Sequence, residues 1–370
     1  MSTSSLVFLC MLASCIVGAH AASPIDGAIE GATITSGVVW KDDMGNDVEM
    51  HGLGVLEPQL HPRGQDGKYF FVGSSKKTRF DCPDKNFPKA WLSSGINLYS
   101  TYDLQSWHFE RQIFTNTSIT TPIPSGEEPI YRIERPKLLY NAPTGKYVLY
   151  FHLDSAHFKM GMVAVATSPT IDGDYAYLRG YRPDGLISFD MTLYLDYDGA
   201  AYLLRSVRNE FVGISQLTTD FLNTTGIISK GSKFEGQTMW KDPRGQGYYM
   251  LGSHLSGWNA NEAILSHTEQ SSLHGAEWKV LGNPSFSSTT FNSQSTFVLP
   301  FQHPNSGKML YFFMADRWNY AGQGSVGNAS YVWLPMTECK ETSDNSCDLP
   351  YKIHGLAQGN GNGPWKVKEY

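Results

Sequence analysis

Charge is scarce in this chain: only 17% of its 370 residues are Asp, Glu, Lys or Arg, and the formal net charge of −6 carries no run of one sign. That excludes the basic stripe expected of a nucleic-acid or anionic-membrane binder. Long apolar runs are missing beyond the N-terminal segment, so no later stretch could cross a bilayer as a helix. Extended helical periodicity is scarce as well. There is no HExxH, P-loop or GxSxG elbow, and the eleven histidines form no metal cluster by spacing. Neither nucleic acid, a membrane anchor nor a cofactor is expected, although the sequence leaves open whether an ion is bound.

The N-terminus carries the twelve-residue apolar run "LVFLCMLASCIV", followed by Ala19 and Ala21 in small-x-small spacing. Residues 1–21 therefore read as a secretory signal peptide, although no Lys or Arg precedes the run. The mature protein is expected to be secreted and extracellular. Cys10 and Cys15 would leave with the signal, and the pairing among Cys82, Cys339 and Cys347 stays open, with Cys339–Cys347 closing a short loop. Sequons at Asn116, Asn223 and Asn328 agree with a glycoprotein on the eukaryotic secretory route.

Short β-rich segments, broken by Gly, Asp, Asn and Pro, fill the rest. One pattern recurs: a turn glycine followed by an aromatic-aliphatic strand, at Gly67 "GKYFFVGS", Gly145 "GKYVLYFH", Gly199 "GAAYLLRS", Gly247 "GYYMLGSH" and Gly307 "GKMLYFFM". Intervals of roughly 50–80 residues suit four-stranded antiparallel blades, the first stretched by an insertion around "SSKKTRFDCPDKNFPKAWLSSG". Five units predict an all-β, five-bladed propeller over residues 37–340. It follows an N-terminal segment at 22–36 and precedes a tail at 341–370 that could supply a closing strand. The bland alternative is a β-sandwich whose hairpins are marked by Gly-aromatic pairs.

The repeat also sorts the polar residues. Glu134, Asp190, Glu235 and Gln294 each stand roughly 9–13 residues, about one strand and a turn, ahead of a repeat glycine. Equivalent positions in successive blades converge at one mouth of a propeller channel. Hydrolysis of a glycosidic bond needs a proton donor for the leaving oxygen and a group that activates water or attacks carbon. Glu235 fits the donor, because Phe234, Met239 and Trp240 surround it in sequence and an apolar setting raises a carboxyl pKa. A lift from ~4.3 to ~6 corresponds to about 2.3 kcal/mol. Asp190 could hold Glu235 protonated by like-charge coupling or bind a hydroxyl, while Asp196 and Asp198 read as turn formers. Glu134 lies between Arg132 and Arg135, and strand alternation means it need not pair with either. His51 and His254 could face the channel but read more simply as hydrogen-bonded structural histidines.

At these residues the sequence resembles glycoside hydrolase family 43, and within it the exo-β-1,3-galactanase type. The matching stretches, in family order, are "HGLGVL", "YSTYDLQSWHFE", "IERPKLLYN", "FDMTLYLDYDGAAYLL", "FEGQTMWKD", "SHLSGW", "SQSTFVLPF" and "DRWN" followed by "YVWLP". The resemblance implies a five-bladed propeller, Glu235 as general acid and Asp190 as its pKa modulator. It places Gln294 as a base in its imidic-acid form, with Glu134 binding the terminal sugar or assisting. Phe158, Asn209, Ser253, Trp258, Arg317 and Trp318 are the implied substrate contacts. The usual family base, an Asp following a His in the first blade, is absent because Gly52 follows His51. Ser74 stands where the type often has a sugar-binding Glu, and Phe158 where a Tyr is common. The expectation is a monomeric, secreted exo-β-1,3-galactanase acting with inversion on the galactan backbone of arabinogalactan-type glycans. The alternatives are a family 43 arabinofuranosidase or xylosidase, and a non-catalytic sugar-binding propeller.

Overall fold

The computed structural model describes residues 28–76, 93–127, 130–318, 326–339, 348–356 and 359–370. The expected signal peptide, most of the first-blade insertion, and Cys82 and Cys347 lie outside the described residues. Cys339 is disulfide-bonded, to a partner outside them. No helix among the described residues is long and apolar enough to cross a membrane.

A short first strand, β1 (Thr33–Ser36), precedes the ring. Twenty further strands then form five four-stranded antiparallel sheets, each in chain order. Blade 1 holds β2 (His51–Leu56), β3 (Tyr69–Ser74), β4 (Gly95–Thr101) and β5 (His108–Thr115). Blade 2 holds β6 (Tyr131–Asn141), β7 (Lys146–Ser155), β8 (Met162–Ser168) and β9 (Ala176–Tyr181). Blade 3 holds β10 (Ser188–Leu195), β11 (Ala201–Val207), β12 (Phe211–Leu217) and β13 (Thr224–Gly231). Blade 4 holds β14 (Glu235–Lys241), β15 (Tyr248–Ser253), β16 (Ala263–Thr268) and β17 (Lys279–Gly282). Blade 5 holds β18 (Gln294–Gln302), β19 (Met309–Arg317), β20 (Ser330–Glu338) and β21 (Tyr351–Ile353). The first strand of each blade neighbours that of the next, and β18 returns to β2, so the ring closes as a five-bladed propeller.

The repeat glycines sit at the turn between the first and second strands of each blade, and all five have positive φ. Gly247 shows why the residue type is fixed: a Cβ there would lie 1.7 Å from the Thr268 carbonyl oxygen. The aromatic-aliphatic strands they launch supply the core. Five apolar clusters occupy the five interfaces between blades, such as Phe70 and Val72 against Leu149 and Phe151, or Tyr202 and Leu204 against Met239 and Met250. Each fully buried large side chain contributes about 1.5–3 kcal/mol, so no blade can be lost without exposing two interfaces.

The tail does more than close the ring. β21 is the outer strand of blade 5, so the propeller runs to Ile353 rather than ending at residue 340. β22 (Gly363–Lys366) then pairs antiparallel with β1, from Thr33 opposite Lys366 to Ser36 opposite Gly363. Trp365 anchors that pair, buried, with its indole nitrogen donating to the Trp333 carbonyl at 2.9 Å. The sequons separate as well. Asn116 is buried, and its amide donates to the carbonyls of Ser93 and Tyr131, whereas Asn223 is exposed in the β12–β13 turn.

In every blade the innermost strand slips register against its neighbour near its N-terminal end: at His51/Gly54, Glu134/Lys137, Ser188/Met191, Glu235/Thr238 and Ser295/Phe297. Such bulges bend a strand and re-aim the side chains beside them. Here the side chains beside them line one mouth of the channel.

Candidate active site

A cavity of about 300 Å³ opens at that mouth, within the range of small-molecule sites. His51, Glu134, Asp190, Glu235 and Gln294, one from the innermost strand of each blade, line it. Arg135, His152, Phe158, Phe189, Asn209, Gly257, Trp258 and Trp318 complete the lining. The four residues aligned by counting back from the repeat glycines thus do converge. His51 is the fifth; it stands farther ahead of Gly67 than the others do from their glycines, so the count does not reach it, and it faces the channel as one of the two histidines considered for that place.

Glu235 opens β14 and is half-buried. Burial and then the Asp190 charge push its carboxyl up to about 8, against the opposing pull of Arg135 and Gln294. That exceeds the lift to ~6 expected from neighbours in sequence alone. Phe234 and Trp240 are not the cause suggested by proximity, because both are buried in inter-blade clusters. The apolar surroundings come from Phe189, Trp258 and Trp318, which share the cavity from other segments.

Asp190 is held from two sides. Its Oδ2 accepts from the Gly236 backbone N–H at 3.0 Å and lies 3.0 Å from Arg135 Nη2. Gln294 is likewise engaged at both ends. Its Nε2 donates to Glu235 Oε1 at 3.1 Å and to Ser253 Oγ at 2.9 Å, while its Oε1 accepts from Arg135. An imidic-acid tautomer would surrender one of these donations and put a proton on the oxygen that faces the guanidinium.

Glu134 does pair with a flanking arginine: Arg132 Nη1 lies 3.7 Å away, since i and i+2 share a strand face. His152 Nδ1 lies 3.3 Å from the other carboxylate oxygen. Burial alone would lower the His152 pKa, but Asp154 at 3.1 Å and Glu134 together push it up to about 10. Asp154 is fully buried and accepts backbone N–H groups from Ser155, Met160 and Gly161. His51 differs: burial holds its pKa well below the ordinary value, so it is a neutral imidazole, 3.5 Å from Asp316.

Glu134, His152 and Asp190 each bring one donor atom within 4.8 Å of the others, which makes them the residues, among those described, that could converge on a cation. The fit is poor. Arg132 and Arg135 already neutralise the two carboxylates, and an ion would compete with both.

Of the implied substrate contacts, Phe158, Asn209, Trp258 and Trp318 line the cavity. Phe158 stacks over Arg132, whose guanidinium carbon is 4.3 Å from the ring centre. Ser253 lies behind Gln294 rather than in the cavity. Arg317 is a correction: alternation on β19 turns it away from the cavity, and it donates to the Phe291 and Asn360 carbonyls and to Asn362 instead. Its neighbour Asp316 is the residue that points inward, accepting from the Gly52 N–H at 2.6 Å. Ser74 is buried and donates to the Ile133 carbonyl. His254 is exposed and lies outside the cavity. The residues missed in the sequence are Arg135, His152 and Phe189. Arg135 resembled a surface charge beside Glu134, and the other two come from segments whose inward direction only the ring reveals.

A five-bladed ring whose innermost strands bring carboxyl and amide groups together in a mouth pocket is a frame for glycoside hydrolysis. No protein-family model and no curated protein matches the chain. Among solved structures it is similar to an exo-β-1,3-galactanase from Clostridium thermocellum, at 28% identity and a TM-score of 0.69 over 87% of this chain and 65% of that one. It is also similar to an exo-β-1,3-galactanase from Phanerochaete chrysosporium solved with β-1,3-galactotriose, at 26% identity and a TM-score of 0.67 over 87% and 66% of the two chains. A family 43 β-1,3-galactosidase solved with galactodeoxynojirimycin aligns at 29% identity and a TM-score of 0.65, over 86% of this chain and 98% of that one. The chain spans just under two thirds of the length of the two galactanases. The resemblance to glycoside hydrolase family 43, exo-β-1,3-galactanase type, is therefore borne out, and the neighbours are glycoside hydrolases.

Proposed function

We propose that this protein is an inverting, exo-acting glycoside hydrolase that releases galactose from the non-reducing end of β-1,3-galactan, the backbone of arabinogalactan-type glycans. One observation carries the reading: a carboxyl held at about 8 inside a small pocket whose lining combines aromatic rings with convergent polar groups. A group protonated at neutral pH can give its proton to the leaving oxygen, and such donation is typically worth 10²–10⁴ in rate. Asp190 raises the Glu235 pKa, and its own Oδ2 is held by Arg135 and the Gly236 N–H. Phe158, Phe189, Trp258 and Trp318 offer faces on which a sugar's C–H surface can pack. Buried Lys137 donates from Nζ to the Gly52 and Leu53 carbonyls at 2.8 Å, tying the first two innermost strands together, in keeping with a pocket that takes a chain end. Export follows from the signal-like residues 1–21 and belongs to the same proposal.

Inversion requires water on the ring face opposite Glu235, with the two groups about 6.5–9.5 Å apart. Gln294 is in hydrogen-bond contact with Glu235, so it can take the water only after an entering sugar draws it off. Glu134, on the blade 2 wall, is the other acceptor. Near-normal turnover in both Q294E and Q294A together with loss in E134Q assigns the water to Glu134, and loss in Q294A with near-normal turnover in E134Q assigns it to Gln294.

The test is to incubate the protein with β-1,3-galactan, arabinan and xylan and to follow product anomers by NMR. Initial α-galactose from the first is the expected result. Products from arabinan or xylan alone would move the reading to another sugar, which the apolar Phe158 and the inward-bonded Ser74 would then explain. No product from any of the three would leave a sugar-binding propeller.

A further inference from the structure

The five register slips do not use the same residue type. In blades 1 and 4 the slip is made by glycine in the left-handed region, Gly52 at φ 65° and Gly236 at φ 59°. Blade 2 places Arg135 there, at φ 55°. A residue with a Cβ is strained in that conformation and glycine is not, so the strain persists only where the side chain has a use.

That side chain leaves its own blade. Its guanidinium is buried, lies 3.0 Å from Asp190 of blade 3, and reaches blade 5 through the Gln294 Oε1 and the Ser295 carbonyl at 2.6 Å. Its two side-chain partners are the groups that flank Glu235 of blade 4. Gln294 donates to the Glu235 carboxyl, and Asp190 accepts from Gly236, the residue after it. The amide oxygen of Gln294 is thus turned to the guanidinium and its nitrogen to Glu235. Were the amide reversed, its oxygen would face the protonated carboxyl and accept a hydrogen bond from it, tying up the proton meant for the leaving group.

We propose that Arg135 is the positioning residue of the acid: it fixes the Gln294 amide with nitrogen toward Glu235 and holds Asp190 against the backbone behind it, which keeps the Glu235 proton available to substrate. This rests on Glu235 as the proton donor. The informative variant is Arg135→Gly, which relieves the backbone strain while removing the guanidinium, with Arg135→Lys as a second variant should the first not fold.

Wild type and variant are compared on a β-1,3-galactooligosaccharide and on an aryl β-galactoside with a good leaving group, which needs little protonation. The expected result is a fall in kcat of ~100-fold or more on the oligosaccharide and a much smaller fall on the aryl glycoside. KM should stay within about threefold, and added guanidinium should return part of the rate. Equal losses on both substrates, or none, would overturn the proposal. Absence of wild-type turnover on either substrate would instead count against the function proposed above. A crystal structure of the variant then decides: Asp190 and Gln294 displaced from Glu235 supports the role of Arg135, and unchanged positions overturn it.

Discussion

Glu235 owes its proton to opposing influences: burial, Asp190 and, least, Glu134 push its pKa up while Arg135 and Gln294 pull it down. Because the protonated form is the donor, kcat/KM should be sustained below about 8 and fall as pH rises through that value. A pH–rate profile with its basic limb near 6 would show that the pocket does not hold the acid as described. The same shift enters stability with a definite sign. The unfolded carboxyl ionises near its ordinary value of 4.5 and the folded one near 8, so this group's contribution is present at low pH and declines as pH rises between the two. Glu235→Gln should therefore melt close to wild type at about pH 5 and above it at about pH 8. Thermal unfolding at the two values checks this, and a pH-independent difference would contradict it. Glu235 was legible in the sequence as an acid beside apolar residues. Of the rings around it, Trp258 and Trp318 entered only as substrate contacts implied by the family resemblance and Phe189 not at all, because all three are remote in the chain and meet only when the ring closes.

The innermost strands act as five mounts with a shared defect. The turn glycines that launch each second strand stood out in the sequence because they share residue type and spacing. The bulges did not, because Gly52, Arg135 and Gly236 share only a backbone conformation. At Gly236 the geometry leaves no latitude: a Cβ would combine positive φ with an approach of 2.9 Å to Gln294 Cγ. Gly236→Ala should cost about 1–2 kcal/mol of stability through the left-handed backbone. Its effect on turnover should be larger than that loss implies, because Gln294 is displaced from Glu235. Urea unfolding and steady-state kinetics on one preparation measure both. Unchanged turnover would show that the bulge does not set the position of Gln294.

At the scale of the molecule, the five-bladed plan was readable from the repeat, whereas the way the chain ends was not. β21 and β22 are short and lie outside the five-fold repeat, so the sequence offered the tail as the source of one closing strand but not as both the rim of blade 5 and a clasp on β1. Trp365→Ala should remove about 3–5 kcal/mol from the unfolding free energy, because a buried indole and its bond to Trp333 are lost together. A loss below ~1 kcal/mol in denaturant titration would show the clasp to be dispensable. The fold also ranks the sequons. On passage through a eukaryotic secretory pathway, peptide mass spectrometry should find glycan at exposed Asn223 and none at Asn116, whose amide is bonded inside the blade 1–blade 2 junction.

The most direct measurement is the rate of Glu235→Ala on β-1,3-galactan and on a β-galactoside with a good leaving group. If Glu235 is the proton donor, turnover of the polysaccharide falls by ~10²-fold or more while the activated glycoside retains most of its rate. Equal loss on both substrates would contradict that role.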